Sequence, residues 1–138
     1  YQAMAEQLGI CDQTYFCGPR PVELLGHYLM QADILLSPRI QGNNTPMKLY
    51  SYLDSGKPVL ATNLFTHTQV LSEDFSVLVA PEEESMAKGM ETLLNNSQLC
   101  ERLGKKGKEV AQQNYSLKSF RKKLQKFYKT IWESLSTS

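Results

Sequence analysis

Residues 33–62 decide the fold, and they read DILLSPRIQGNNTPMKLYSYLDSGKPVLAT. Two short apolar runs, 33–37 and 58–62, flank a helical stretch that Pro46 can open and Gly56 ends. Neither run alternates apolar with polar residues, which is typical of strands covered on both faces. The order of strand, helix and strand therefore predicts a βαβ unit with a parallel sheet.

The same alternation extends to both sides of this stretch. Further helices are predicted at 1–9, 21–30 and 66–71, further strands at 14–17 and 76–80, and helices from 82 onward with breaks near 95–96 and 114–116. Because crossovers between parallel strands are right-handed, this order predicts an α/β fold, a Rossmann-like doubly wound parallel sheet flanked by helices and ending in helices. In such sheets, ligands bind beyond the carboxyl ends of the strands.

Length and charge bound the organisation of the chain. Its 138 residues correspond to about one domain, and no apolar run approaches the ~18 residues of a membrane span. Residues 1–100 hold 5 basic and 11 acidic side chains, whereas residues 101–138 hold 10 and 3. We therefore expect a single domain over 1–138, in which 97–138 is a basic helical tail.

The 3 cysteines show no C-x2-C spacing, so neither a zinc site nor a disulfide framework is indicated.

The loop at 38–45 carries the residues best suited to chemistry. It leaves a buried strand and runs into a helix N-terminus, where free N–H groups and the helix dipole favour an anion. Arg39 and Lys48 add positive charge, and a glycine between them permits close backbone approach. These features fit a diphosphate. The alternative is an ordinary loop capped by Asn44 or Thr45, because neither G-x-x-x-x-G-K-[ST] nor G-x-G-x-x-G occurs here.

Four segments resemble, in the same order, those of one enzyme family. They are FCG at 16–18, YLMQADILLSP at 28–38, TPMKLYSYLDSGKPV at 45–59 and VLVAP at 77–81. The third is similar to the family's P-x-K-x-x-E-Y-x-A-x-G-K-P-V block. Together they resemble the C-terminal domain of family 4 (group 1) glycosyltransferases of the GT-B type, over nearly the whole chain.

The resemblance implies a retaining transferase that moves a sugar from a nucleoside-diphosphate donor to an acceptor hydroxyl, without a metal or cofactor. Lys48 and the helix N-terminus would hold the diphosphate. The acceptor site and catalytic loop would belong to an N-terminal domain outside this sequence. We therefore expect residues 1–138 alone to be inactive, and the catalytic residues stay unknown. The expected donor-binding residues are Gly18, Arg20, Arg39, Gly42, Asn43, Asn44, Thr45, Lys48 and Ser51.

Two positions depart from the family pattern. The family carries two glutamates eight positions apart, the first for the donor sugar and the second for the ribose, and they fall here on Asn43 and Ser51. Neutral side chains hydrogen-bond hydroxyls more weakly than carboxylates do. A non-catalytic nucleotide-sugar-binding or interaction domain therefore stays open as an alternative. The other alternative is a GT-B-shaped sugar-nucleotide epimerase; such enzymes use carboxylates and histidines across the cleft, and these loops offer no acidic candidate. His67, in a loop that faces the cleft in the family, is interpreted as structural, with a binding role left open.

The basic tail allows two interpretations of its partners. Its apolar stripe fits packing on the N-terminal domain of the same protein, as in the family, whereas its charge fits peripheral contact with anionic lipid. The expected partners are the nucleotide-sugar donor and an acceptor saccharide or glycolipid, and no nucleic acid. We expect a role in cell-surface polysaccharide or glycoconjugate synthesis. Because the cysteines favour a reducing compartment, we also expect a cytoplasmic protein, with membrane association as an option. The stripe consists of Leu117, Phe120, Leu124, Phe127, Tyr128 and Ile131.

Overall fold

The computed structural model describes residues 1–136, which form a three-stranded parallel sheet with helices on both faces. The helices are α1 (Gln2–Gln7), α2 (Leu25–Gln31), α3 (Lys48–Ser55), α4 (Phe65–Thr68), α5 (Glu83–Leu94), α6 (Ser97–Val110) and α7 (Leu117–Ser136). The strands are β1 (Leu35–Ser37), β2 (Val59–Thr62) and β3 (Val77–Val79). Single turns of 3-10 helix cover Cys11–Gln13 and Val22–Leu24, and a π-helical turn covers Ala111–Tyr115.

The strand order in the sheet follows the chain, with β2 in the middle. Leu36 of β1 and Val77 of β3 both pair with Leu60 of β2, and both pairings are parallel. Every residue of β2 is buried, as expected for a strand without alternation. The three strands predicted between residues 33 and 80 are confirmed, each one or two residues shorter than expected.

Alternate residues of β2 face two separate cores. Ala61 belongs to the core on one face, where α3 contributes Leu49 and Leu53. Leu60 belongs to the core on the other face, where Leu93 of α5 is buried. Because apolar area is removed from water on both sides, the sheet is covered in the doubly wound manner that the sequence predicts.

The end of α3 lies directly against α6. Gly56 closes α3 with a left-handed φ of +77°. Gly104 of α6 approaches so closely that a Cβ there would lie 2.0 Å from the carbonyl oxygen of Gly56. Only a residue without a side chain permits this backbone contact. The helix end predicted at Gly56 is confirmed, and the contact fixes the helical tail to the sheet.

The strand predicted at 14–17 is wrong. This segment has no regular secondary structure and pairs with none of the strands within residues 1–136. The aromatic side chains that suggested a strand are open to solvent, with Tyr15 85% exposed. β-propensity reflects packing on a half-buried sheet surface, so without such burial the aromatic residues do not produce a strand.

The last helix stands apart from the sheet. The predicted breaks are confirmed, because α5 ends before Asn95 and the π-helical turn ends before Ser116. The large apolar side chains of the predicted stripe are all exposed along α7. None of the helices within residues 1–136 is long and apolar enough to cross a membrane.

Candidate functional site

The carboxyl ends of the three strands meet at one edge of the sheet. β1 ends at Ser37 and β2 at Thr62, and the N–H of Asn63 donates to the carbonyl oxygen of Val79, the last residue of β3, across 2.6 Å. The loop at 38–47 follows β1 along this edge and leads into α3. The loops that follow the three strands therefore lie at the edge where open α/β sheets bind their ligands.

Arg39 organises the loop between β1 and α3. Its Nη1 donates to the backbone carbonyl oxygen of Asn44 at 2.7 Å and to the Asn44 Oδ1 at 3.3 Å. The guanidinium packs against Gly42, where a Cβ would lie 2.7 Å from the Arg39 Nη1. The structure thus brings three of the predicted site residues together, and the missing Cβ of Gly42 leaves room for the Arg39 guanidinium.

Lys48 places a second positive charge at the same edge. Its Nζ lies 3.5 Å from the carbonyl oxygen of Leu36 in β1 and 5.5 Å from the centre of the Tyr52 ring. Burial lowers the pKa of Lys48 below its usual value, and the nearby Arg39 guanidinium lowers it further. Neither cation forms a salt bridge within the described residues 1–136. Two neighbouring cations without a carboxylate partner attract an anion.

The start of α3 is not capped by a side chain of residues 1–136. Asn44 instead receives the Arg39 guanidinium, and the Thr45 hydroxyl donates to the Gln69 side-chain oxygen. The cap by Asn44 or Thr45 that the alternative of an ordinary loop assumed is therefore wrong, and the binding role of the loop stays a prediction. The helix begins at Lys48, two residues after the Pro46 that can open it.

A buried hydrogen-bond network lies beneath this loop. The Ser37 Oγ lies 2.9 Å from the Nε2 of His67, whose Nδ1 lies 2.8 Å from the carbonyl oxygen of Thr62. His67 is 0% exposed, and burial lowers its pKa, with Arg39 and Lys48 acting in the same direction. The interpretation of His67 as a structural residue agrees with this position.

A second part of the predicted site lies around Ser51, one turn beyond Lys48 in α3. Ser51 lines a cavity of about 440 Å³ whose wall includes Val22 and Leu25. The same two residues line a neighbouring cavity of about 390 Å³ beside Gly18 and Arg20. The structure therefore places these three predicted residues on adjoining cavities, on the α2 side of α3.

Asn43 lies on a different surface from Ser51. Together with Gly42 and residues 64–66 it lines an open cavity of about 350 Å³. Within the described part of the chain, this cavity shares no lining residue with the cavity of about 440 Å³ that Ser51 lines or with the cavity beside Gly18 and Arg20. Lys48 follows Asn43 in the chain and precedes Ser51, so it belongs to the segment of chain that leads from one surface to the other.

Three residues of the site were not predicted from the sequence. Ser37, Thr62 and Gln69 hold His67 and Thr45 in place. One signal was present for the first two, since each is a hydroxyl residue that ends an otherwise apolar strand. The partner of Gln69, Thr45, lies 24 positions away, so no local pattern indicates their contact.

The described residues contain no cluster of metal-ligating side chains. Within residues 1–136, no group of three or more His, Cys, Asp and Glu side chains is placed to hold a metal ion. The prediction that the reaction needs no metal or cofactor stays a prediction. The polar side chains of the stretch 38–48 are cations, amides and a hydroxyl, which suit an anionic, hydroxylated ligand.

Comparisons with solved structures give the fold of the chain. It superposes on a sucrose-phosphate synthase from Thermosynechococcus elongatus with a TM-score of 0.82 at 19% identity, covering 96% of this chain and 34% of that one. For HepE of Anabaena in complex with UDP-glucose, the TM-score is 0.78 at 16% identity, over 99% and 36% of the two chains. The chain thus spans about a third of the length of these proteins. The expected fold, a parallel sheet flanked by helices as in GT-B glycosyltransferases, is confirmed.

A shorter structure matches over more of its own length. The C-terminal domain of a group 1 family glycosyl transferase, LpcC from Francisella tularensis, gives a TM-score of 0.74 at 17% identity, over 84% of this chain and 60% of that one. No curated protein matches the chain in sequence. The family model for glycosyl transferases group 1 matches residues 1–110. The chain therefore belongs to the group 1 glycosyl transferases.

Proposed function

We propose that this chain is the donor-binding, C-terminal domain of a family 4 glycosyltransferase. It binds a nucleoside-diphosphate sugar, whose sugar the whole protein transfers to an acceptor hydroxyl. One observation carries the proposal, namely that Arg39 and Lys48 meet at the carboxyl edge of the sheet with no salt-bridge partner within residues 1–136. A diphosphate supplies the negative charge that these cations lack.

The nucleotide would extend from this charge in one direction. The cavities beside Ser51 and beside Gly18 and Arg20 share two lining residues, so a ribose on Ser51 would place its base against the loop that holds Gly18. The Ser51 hydroxyl can both donate to and accept from a ribose hydroxyl. HepE of Anabaena, whose fold is similar, has been crystallised with UDP and with UDP-glucose.

The sugar would extend in the other direction. Asn43 and residues 64–66 line the cavity of about 350 Å³ that would receive it. An amide offers a donor and an acceptor to sugar hydroxyls, which compensates in part for the missing carboxylate. As the glycosidic bond breaks, charge develops on the diphosphate, and Lys48 with the helix N-terminus would stabilise it.

The remaining elements of the reaction belong to the whole protein, since this chain spans only about a third of the length of the similar structures. We propose that an N-terminal domain supplies the acceptor site and the catalytic loop, that transfer proceeds with retention and without a metal, and that the chain alone is inactive. The acceptor would be a saccharide or glycolipid of a cell-surface polysaccharide or glycoconjugate pathway, which implies a cytoplasmic enzyme. The exposed stripe of α7 would pack on the N-terminal domain, with anionic lipid as the alternative partner.

A second candidate function follows from Asn43 and Ser51. Because both positions lack the carboxylate of the family pattern, the domain would bind a nucleotide sugar without supporting transfer. The two functions differ in one assay on the full-length protein. A panel of nucleotide sugars is first tested for binding by calorimetry and then for release of nucleoside diphosphate with an acceptor extract. Binding with release supports the transferase, binding without release supports the binding domain, and no binding of any member contradicts both.

A further inference from the structure

Three buried polar side chains form a continuous network at the sheet edge. Ser37 and Thr62 are the last residues of the adjacent strands β1 and β2, and each is 1% exposed. His67, at 0% exposed, lies between them, with its Nε2 2.9 Å from the Ser37 Oγ and its Nδ1 2.8 Å from the Thr62 carbonyl oxygen. The network therefore joins two strand ends through one imidazole ring.

The partners of the ring determine where its proton lies. A carbonyl oxygen only accepts, so the Nδ1 of His67 carries the proton and donates it to the Thr62 carbonyl oxygen. In the neutral ring the Nε2 is then an acceptor, and the Ser37 hydroxyl donates to it. A doubly protonated ring would leave this hydroxyl without an acceptor in a buried position, which is costly.

The network continues into the loop that carries the donor-binding residues. The Thr62 hydroxyl lies 3.0 Å from the His67 Nδ1 and donates to the carbonyl oxygen of Arg39 at 2.5 Å. Arg39 in turn donates through its Nη1 to the backbone of Asn44. Hydrogen bonds therefore lead without interruption from the sheet to both ends of the loop segment 39–44.

We infer that neutral His67 is a positioning residue that acts through Thr62 to hold Arg39, and with it the loop at 38–47, in the conformation that binds the donor diphosphate. The inference rests on the proposed function, since it assigns a purpose to the loop conformation. His67 itself touches no donor in this account. Its contribution is preorganisation, which lowers the cost of ordering the loop when the ligand binds.

Protonation of His67 would disturb this arrangement, and the charges around the ring oppose that protonation. The charged groups that act on the ring are Arg39 from the loop and Lys48 from α3, and both favour the neutral form. Burial lowers the pKa of His67 more than either cation does. The ring therefore stays neutral down to a pH below the ordinary histidine range of about 6.5. When the His67 ring is protonated at a still lower pH, its Nε2 changes from an acceptor to a donor. The loop at 38–47 is then held less firmly.

Thr62→Val tests the link with little change of shape, because it removes only the hydroxyl that holds the Arg39 carbonyl oxygen. The first measurement is hydrogen–deuterium exchange of residues 38–47 in the full-length protein without ligand. We expect exchange there to be roughly 3- to 10-fold faster, which corresponds to one buried hydrogen bond. The matched control is Ser76→Ala, which removes a buried hydroxyl bonded to the Ser72 carbonyl oxygen at the opposite edge of the sheet. The control is expected to leave exchange in the loop unchanged.

His67→Gln and His67→Leu provide a second route if Thr62→Val fails to fold. Glutamine retains a donor and an acceptor, so loop exchange is expected in the order wild type, His67→Gln, His67→Leu, from slowest to fastest. Nitrogen NMR of the imidazole is expected to show a protonated Nδ1 and a bare Nε2 at neutral pH. Loop exchange that Thr62→Val and His67→Leu leave at the wild-type rate, or a protonated Nε2, would overturn the inference.

Binding separates this inference from the proposed function. UDP-glucose is the probe, since a phosphate diester has no second proton to lose near pH 6. Its affinity is expected to fall roughly 3- to 10-fold in Thr62→Val and to fall in the wild type below pH 6.5. If UDP-glucose binds and Thr62→Val retains full affinity, the positioning role is wrong and the donor site stands. If loop exchange rises as expected but neither UDP-glucose nor another nucleotide sugar binds, the proposed function is wrong and the network still holds the loop.

Discussion

The ammonium nitrogen of Lys48 lies 3.5 Å from the backbone carbonyl oxygen of Leu36, so the first residue of α3 is tied to the strand that precedes the loop. The two residues are 12 positions apart in the chain. The contact fixes the positive charge at the carboxyl edge of the sheet, beside Arg39, where burial and the arginine both lower the pKa of Lys48. Lys48 therefore loses its charge at a lower pH than an ordinary lysine does, and with the charge it loses its attraction for an anionic ligand.

Binding of a nucleoside diphosphate is expected to weaken as the pH rises from 8 to 10. Because the pKa of free Lys48 is lowered from its usual 10.5, its charge is lost earlier than that of an ordinary lysine, whereas Arg39 stays charged. Lys48→Arg retains the charge at all these values and is expected to remove the alkaline decline. Calorimetric titrations of both proteins across this range are the measurement. Parallel curves for wild type and Lys48→Arg would assign the decline to another group.

Gly104→Ala is expected to destabilise the domain by about 1–3 kcal/mol or more, the range for overpacking a rigid contact. The added Cβ would lie 2.0 Å from the Gly56 carbonyl oxygen, and backbone cannot move aside as a side chain tip can. Gly26→Ala in α2 is the control, since no atom lies within 4 Å of its Cβ position. The control is expected to keep or raise stability by up to about 1 kcal/mol. Chemical denaturation measures both, and equal stabilities would refute the close approach of α3 and α6.

The fold could be predicted because buried strands and their separators leave strong local signals. The strands around Leu35 and Leu60 are apolar apart from their last residues, and Gly56 ends the helix between them. The strand predicted at 14–17 failed because β-propensity carries no information on whether a sheet surface is available to cover Tyr15. Local sequence thus indicates the order of elements, while pairing depends on contacts made elsewhere.

Ser51→Ala and Asn43→Ala are expected to affect different ligands. Ser51 lies on the cavity next to Gly18, so its loss should weaken the nucleoside and the nucleoside diphosphate alike, by about 0.5–1.5 kcal/mol. Asn43 lies on the other surface, so its loss should matter only when a sugar is attached. Titration of each variant with nucleoside, diphosphate and nucleotide sugar gives the pattern. The same pattern in both variants would refute two separate subsites.

The apolar stripe of α7 is expected to cause self-association of residues 1–138. Phe127 is 58% exposed on this helix, and exposed apolar patches drive contacts when no partner covers them. Sedimentation should show a concentration-dependent oligomer that Phe127→Ser relieves. Tyr15→Ser, at an exposed aromatic residue outside the stripe, should not relieve it. A strictly monomeric chain at high concentration would mean that the stripe is not an interface.

The candidate site was only partly predictable from sequence. Arg39, Lys48 and the helix N-terminus follow from residue types and from the position of a loop after a strand. The bond between Thr45 and Gln69, and the network through His67, join residues that are 24 and 30 positions apart. Such pairs depend on the crossover geometry of the sheet, which no local pattern encodes. The sequence thus indicates the cationic side chains of the site, whereas the polar side chains that hold the loop in place are recognised only in the structure.

The central claim is that Lys48 holds a diphosphate, and its most direct test is calorimetry on the full-length protein. Lys48→Ala is compared with Lys57→Ala, which removes a lysine just beyond the opposite end of α3. The ligands are the best-bound of the common nucleoside diphosphates and its bare nucleoside. We expect Lys48→Ala to weaken the diphosphate by roughly 1.5–3 kcal/mol and the nucleoside hardly at all, with Lys57→Ala binding both like wild type. A Lys48→Ala protein that binds the diphosphate with wild-type affinity would contradict the account.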